Sequence, residues 1–136
     1  SLGVGTLPSG VIGEIRATDD ITAFYSSDIS LKTNINPIEN AIEKIQQING
    51  VTFDWTDSHL MKYGGEDDYF NRKRDVGVIA QEIEKVLPEV VGTRENGIKA
   101  VKYDRIVALL IQGIKELKEE LDEVKKNKCG CSCGVK

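Results

Sequence analysis

A strict seven-residue apolar repeat in the last quarter of the sequence constrains the fold more than any other feature. With heptad position a at Val107 and position d three residues later, all six a and d positions are apolar: Val107, Leu110, Ile114, Leu117, Leu121 and Val124. All seven residues from 115 to 123 that lie between them are charged. This repeat predicts one long helix over about residues 104–126.

Two structures satisfy this repeat equally well. The helix either forms a coiled coil with other copies of the chain or packs as an amphipathic helix on its own domain. The first two layers place a β-branched residue at a and leucine at d, which favours a dimer. The third layer reverses this order, with Leu121 at a and Val124 at d. Three layers therefore do not fix the number of chains.

The composition is that of a soluble globular chain. Its 136 residues are 40% hydrophobic and 29% charged, which predicts one domain, with or without an appendage. A net charge of −4 argues against a nucleic acid or an anionic membrane as the main partner. The longest strongly apolar run, residues 106–111, is too short to span a membrane, and the first residues do not resemble a signal peptide.

Short helices and strands are predicted before the long helix. Isoleucines recur every three or four residues after Pro37, which predicts an amphipathic helix over residues 38–48 that ends before Gly50. Residues 51–55 alternate apolar and polar side chains and predict a strand. The polar stretch from 56 to 74 is expected to be the tip of a protruding hairpin.

Further short elements complete an α+β prediction. Residues 75–80 predict a short buried strand or the entry from a strand into a helix. Residues 81–87 predict a helix that Pro88 stops, and the Asn96-Gly97 pair predicts a β-hairpin. We therefore expect a small, mainly helical α+β domain with short strands, a hairpin arm and the long helix at its end.

The beginning of the chain is rich in glycine and poor in large apolar residues. Residues 11–16 and 21–25 resemble weak strands. Residues 1–23 are expected to be the end of something longer or to pack on the rest of the chain.

A serine and a lysine five residues apart, Ser27 and Lys32, are candidates for nucleophilic catalysis. Because the chain has a single histidine, a hydroxyl nucleophile needs another base, and neutral lysine is the usual alternative. A lysine can serve only where burial or a nearby cation favours its uncharged form. The spacing allows contact across a tight turn without requiring it, so this pair alone is better explained as a loop serine and a surface lysine.

The other polar groups suggest little chemistry. His59 lies in the polar stretch beside Asp57 and Ser58 and is expected to be an exposed loop residue. As the single histidine of the chain, it cannot form a multi-histidine metal site. The acidic residues 66–68 match no calcium-loop spacing and are expected to be solvated. We therefore expect no cofactor and no metal site among them.

All the cysteines lie together near the end of the sequence: Cys129, Cys131 and Cys133. Thiols separated by glycine and serine could bind zinc, or could cross-link chains at the end of a coiled coil. A reduced, flexible tail is the simpler interpretation, and we favour it.

Four ordered motifs together resemble a known family. They read SDISLKTNI at residues 27–35, NGVTFDW at 49–55, GVIAQEIEKVLPEVV at 77–91 and VKYDRI at 101–106, before the heptad helix. This order closely resembles the endosialidase-type intramolecular chaperone domain of phage tail spikes, tail fibres and neck appendages, a module also present in myelin regulatory factors. The resemblance covers about residues 27–127.

The resemblance implies a function and a site. Domains of this family trimerise, guide folding of the β-rich fibre that precedes them, and then cut themselves off before the serine of a Ser-Asp-x-x-Leu-Lys motif. Here that implies a scissile bond between Ser26 and Ser27, with Ser27 as nucleophile and Lys32 as its base. Three further motif positions match without an assigned role: Asp28, Asn34 and Gln81.

The same resemblance implies the organisation and partners of the chain. Residues 1–26 would be the end of the client fibre, residues 27–127 the chaperone domain, and residues 128–136 a cysteine-rich tail outside the family pattern. The partners would be two further copies in a homotrimer and the upstream segment of the same polypeptide, with no nucleic acid and no membrane. The expected location is a virion fibre or spike precursor, made in the host cytoplasm, from which the domain is released.

Two other functions remain open. The first is a trimeric cap of the same fold that is never cleaved, and the second is a thiol- or zinc-dependent protein centred on the cysteine tail. Attack of Ser27 on its own chain and attack on a neighbouring chain are equally compatible with the residues.

Overall fold

The computed structural model describes residues 1–8, 10–67 and 69–129, and it leaves out the side chain of Cys129. The fold is α+β, as the sequence predicts. Its elements are β1 (Leu2–Val4), β2 (Ile15–Ala17), α1 (Ala41–Gln46), β3 (Gly50–Asp54), α2 (Asp57–Lys62), β4 (Arg74–Val78), α3 (Ala80–Val86), β5 (Val91–Thr93), β6 (Lys99–Val101) and α4 (Tyr103–Cys129). Two short 3₁₀ turns span Ile29–Leu31 and Pro88–Val90.

The chain forms two compact units. The first comprises Ser1–Asn34 and Val51–Gly77, and the second comprises Ile35–Gly50 and the chain from Val78 onwards. In the first unit β1 runs parallel to β2, with Leu2 opposite Ile15. A second two-stranded sheet joins β3 to β4.

The second unit has the larger core. Its buried side chains come from α1, α3, the 3₁₀ turn that follows α3, and α4: Ala41, Ile83, Val86, Val90 and Leu109. The hairpin of β5 and β6 is antiparallel, with Val91 opposite Val101, and it packs against α3. Lys99 on β6 donates to Glu84 Oε2 on α3 at 2.6 Å, which adds a charged contact at the edge of this core.

The helices α1 and α4 are in close contact. A side chain at Gly113 would place its Cβ 2.3 Å from Ile45 Cδ1, so the absence of a side chain there allows the close approach. Glu116 of α4 accepts the N–H groups of Ala41 and Ile42 at 3.0 and 2.9 Å. It thereby caps α1, whose own N-cap residue, Asn40, makes no side-chain cap bond.

Several sequence predictions are confirmed. The long helix, β3, β4, α3 and the hairpin around Gly97 lie within a few residues of their predicted positions. The predicted burial of β4 was wrong, because its first three residues are exposed and it pairs with β3 in a two-stranded sheet. Among the described residues, no helix combines the length and the apolar character needed to cross a membrane.

Two predictions of secondary structure were wrong, and a third was incomplete. The helix expected from 38 begins only at Ala41, because Asn40 takes a left-handed φ of 53° that interrupts helical geometry. Residues 21–25 form no strand. The polar stretch from 56 to 74 joins the paired strands β3 and β4, as the tip of a hairpin would, but it also contains α2, which begins where the Thr56 side chain accepts the His59 N–H.

Replacing Glu116 with glutamine should destabilise the protein in a pH-dependent way. The N–H groups of Ala41 and Ile42 hold the pKa of Glu116 below its ordinary value of 4.5, so its stabilising effect is present above that pH and is lost as the pH falls through the lower folded-state value. We expect Glu116→Gln to lower the melting temperature by a few degrees at pH 7, and we expect this difference to shrink below about pH 4.

Thermal unfolding followed by circular dichroism between pH 7 and pH 3 measures both effects. Glu119→Gln is the matched control, since Glu119 is an exposed carboxylate on the same helix. An equal effect of the two substitutions at neutral pH would contradict the capping role of Glu116.

Candidate functional site

The Ser27 and Lys32 side chains meet across a single tight turn. Lys32 Nζ donates a hydrogen bond to Ser27 Oγ at 2.6 Å. Between them lies the 3₁₀ turn Ile29–Leu31, which is closed by the Lys32 N–H donating to Ile29 O at 3.1 Å. The structure therefore places the two candidate residues in direct contact within one chain.

Asp28 holds this turn. Its carboxylate accepts the Ser30 N–H at 2.8 Å and the Ser30 hydroxyl at 2.6 Å, so it is the N-cap of the 3₁₀ turn. These bonds, first that from the hydroxyl and then that from the N–H, hold the pKa of Asp28 below its ordinary value of 3.8. The sequence analysis gave this residue no role, although an aspartate two residues before a serine is a typical local capping pattern.

Both candidate residues are open to solvent in the single chain. Every residue from 18 to 37 is exposed, including Ser26 on the other side of the expected scissile bond. Several large apolar side chains share this exposure, among them Phe24 at 95% and Leu31 at 71%. A solvated ammonium can donate to Ser27 but cannot take its proton.

The six heptad side chains of α4 do not pack on their own unit. They are between 46% and 69% exposed: Val107, Leu110, Ile114, Leu117, Leu121 and Val124. The buried face of α4 instead contains Leu109 and Gly113, together with the partly buried Glu116. The two stripes are about a quarter turn apart around the helix. The contacts of α4 with its own domain therefore do not account for the heptad repeat.

One expectation about polar residues was wrong, because His59 lies on α2 and is partly buried. Its ring is stacked on that of Trp55, with 4.1 Å between ring centroids, and is tilted against that of Tyr63 at 4.9 Å. Asp67 is exposed, as expected of a solvated carboxylate, and it also accepts the N–H groups of Phe70 at 2.6 Å and Asn71 at 2.8 Å.

Asn34 and Gln81 are the two other motif positions that have no assigned role. Asn34 has a left-handed φ of 52°, and Gln81 lies in the first turn of α3. Within the described residues, no three His, Cys, Asp or Glu side chains are grouped as metal ligands would be. Asp68, Cys131, Cys133 and the side chain of Cys129 lie outside the described residues.

One known protein family matches part of this chain. Residues 27–92 match the profile of the family described as chaperone of endosialidase, a peptidase family. The match begins at Ser27 and includes the turn, β3, β4 and α3. This match is consistent with the resemblance to the endosialidase-type chaperone domain.

Individual relatives are long tail fibre proteins of bacteriophages. The chain is 34% identical over 119 residues, 82% of its length, to the long tail fiber protein Gp37 of Enterobacteria phage K3, and equally similar to that of phage T2. It is 36% identical over 106 residues to Gp37 of Enterobacteria phage M1. It spans only 9%, 8% and 39% of the lengths of these three proteins, respectively.

Replacing Ser30 with alanine should raise the pKa of Asp28. The substitution removes the hydroxyl bond, the larger cause of the lowered pKa, and leaves the N–H bond in place. We expect the Asp28 carboxyl to titrate closer to 3.8, though still below it. Carboxyl-carbon NMR titration measures this change. Thr33→Ala, which removes an exposed hydroxyl just beyond the turn, is the control, and an equal shift in both variants would contradict the capping geometry.

Proposed function

We propose that this chain is the C-terminal intramolecular chaperone of a phage tail fibre or tail spike, and that it releases itself by cutting the peptide bond between Ser26 and Ser27. The contact that carries the proposal is the 2.6 Å hydrogen bond between Lys32 Nζ and Ser27 Oγ. The match of residues 27–92 to a chaperone and peptidase family and the tail fibre names of the relatives support it.

The chemistry that fits these residues begins with the Ser27 hydroxyl. Its oxygen attacks the carbonyl carbon of Ser26, which closes a five-membered ring, so proximity follows from the covalent structure. A neutral Lys32 takes the hydroxyl proton and returns one to the departing Ser27 amine as the C–N bond breaks. Water then opens the resulting ester and leaves a carboxylate on Ser26 and a free hydroxyl on Ser27. Attack on a neighbouring chain is the alternative geometry.

This reaction requires control over the charge of Lys32. In the single chain its ammonium is exposed, and an ammonium can only donate to Ser27. Removing water from the amine would favour the neutral form that acts as a base. We propose that assembly of three chains covers the exposed segment around the dyad and so activates cleavage.

The uncovered heptad stripe supports assembly through α4. Six apolar side chains, each about half exposed or more, would be buried by association with further copies. The family resemblance favours three copies over two. Cleavage would then occur only in chains that have assembled.

A trimeric clamp of this kind suits a fibre client. Bringing three chains into register for non-local strand pairing is slow and prone to aggregation. A helical trimer raises the effective concentration of the segments that precede it. Removing the clamp afterwards leaves the fibre kinetically trapped, because the device needed for refolding is gone.

Alanine at either dyad position should stop cleavage. We expect Ser27→Ala to abolish the fragment that begins at residue 27, and Lys32→Ala to slow its formation by at least about 100-fold, because a positioned general base contributes that much or more. Mass spectrometry distinguishes the intact 15.0 kDa chain from the fragment. Ser26→Ala, which retains the nucleophile, is the control and should still be cleaved.

Both alanine variants should assemble like the parent chain. A parent chain that forms trimers and stays intact would instead establish the alternative of a trimeric cap that is not cleaved.

Charges placed in the heptad stripe should prevent both assembly and cleavage. We expect the double substitution Ile114→Asp and Leu117→Asp to give monomers, because two carboxylates per chain would be buried at the interface. Light scattering measures the assembly and mass spectrometry the cleavage. Lys115→Asp with Glu119→Asp, on the charged side of the same helix, is the control. Monomers that cleave at the normal rate would disprove the coupling.

A further inference from the structure

Residues on the two sides of the proposed cleavage site are in direct contact within the first unit. Arg16, upstream of the site, donates from Nη2 to the Tyr63 carbonyl oxygen at 3.2 Å. Its Nη1 lies 3.6 Å from Asp67 Oδ2, and its guanidinium carbon lies 5.1 Å from the centre of the Phe70 ring. A second contact comes from the Tyr69 hydroxyl, which donates to Thr18 O at 3.1 Å.

Burial distinguishes Arg16 from the segment that leads to the proposed cleavage site. Its side chain is 10% exposed, whereas the residues from 18 to the proposed cleavage site are all exposed. The remaining guanidinium nitrogen, Nε, lies 3.0 Å from Glu14 Oε1 in the same segment. Arg16 is therefore a desolvated anchor, and the chain between it and Ser27 is an open connection.

We call the downstream partners of this segment the Arg16 cradle: Tyr63, Asp67, Tyr69 and Phe70. The cradle is held in shape by its own bonds, since Asp67 accepts the N–H groups of Phe70 and Asn71. The Asn71 side-chain amide also donates to Tyr63 O at 3.0 Å. A planar guanidinium is suited to such a site because it can donate to a carbonyl and a carboxylate while lying over an aromatic ring.

We propose that the Arg16 cradle keeps the upstream segment bound after the backbone is cut, so that cleavage and release are separate steps. The cleavage itself rests on the proposed function, but the cradle contacts do not. Leaving the cradle would separate a desolvated guanidinium from a carboxylate, a carbonyl and a ring at once. The occupant is an extended segment of the client that presents an arginine, and in an assembly each copy would add to its retention.

A nicked chain tests retention without relying on the dyad. In the Ser27→Ala chain, a recognition sequence for a site-specific protease is inserted between Ala23 and Phe24, within the exposed connection. After digestion, a fluorophore at the N-terminus reports dissociation of the 1–23 fragment when unlabelled fragment is added in excess. We expect the fragment to elute with the remainder of the chain on gel filtration in low salt.

Arg16→Ala should make the fragment dissociate at least about tenfold faster, because truncating a buried arginine at the centre of a contact typically has that effect or a larger one. Arg16→Lys should fall in between, since it keeps the charge but loses the planar fork. Arg94→Ala removes an exposed arginine and should dissociate like the parent. High salt should speed dissociation of the parent more than that of Arg16→Ala.

Equal dissociation rates for the parent and Arg16→Ala would contradict the proposal that the Arg16 cradle retains the upstream segment. Immediate loss of the fragment from the nicked parent would contradict it too. Circular dichroism of the unnicked variants checks that each one is folded. Retention in the nicked chain, combined with no self-cleavage when Ser27 is present, would disprove the proposed function and leave the cradle intact.

Discussion

The packing of α1 against α4 is the contact on which the second unit depends. A helix of six residues is too short to be stable alone, so α1 needs tertiary partners. Gly113 allows the close approach of Ile45, and Glu116 accepts the N–H groups that α1 leaves unpaired at its start. These contacts use one face of α4 and fix its rotation. They leave the heptad stripe uncovered, and that is the surface we propose for assembly.

The proposed dyad of Ser27 and Lys32 is built locally, in contrast to the core. Asp28 caps one short turn, and that turn is sufficient to bring Lys32 to Ser27. Contact is not the same as reactivity, because a solvated ammonium donates to the hydroxyl and cannot deprotonate it. In this proposal, the contact between Lys32 and Ser27 already exists in the single chain, but Lys32 becomes neutral only when assembly excludes water from it. Assembly would therefore control cleavage. The chain would be inert until assembly removes water from the amine.

The proposed Arg16 cradle would add a second level of control. Arg16 is embedded among residues that belong to the chaperone side of the proposed cut. Hydrolysis of one exposed peptide bond would not by itself break these contacts. In this proposal, the Ser26–Ser27 peptide bond and the Arg16 contacts are independent links between the client and the chaperone. A fibre could therefore complete its folding while the chaperone domain is still bound.

The sequence by itself determined the features that depend on neighbouring residues. The periods of α4 and α3 and the turn at Gly97 are readable within short windows, because backbone geometry repeats over a few residues. The pair of Ser27 and Lys32 became notable only through the order of four motifs along the chain. α2 was readable too, since Trp55, His59 and Tyr63 recur every fourth residue, but its polar composition favoured a loop. Only the tertiary structure decided which face of α4 is buried, where α1 begins and what holds Arg16. Glu116 and Ala41 are 75 residues apart, and Arg16 and Tyr63 are 47 apart. Such pairings depend on how distant segments pack, and no local pattern in the sequence encodes them.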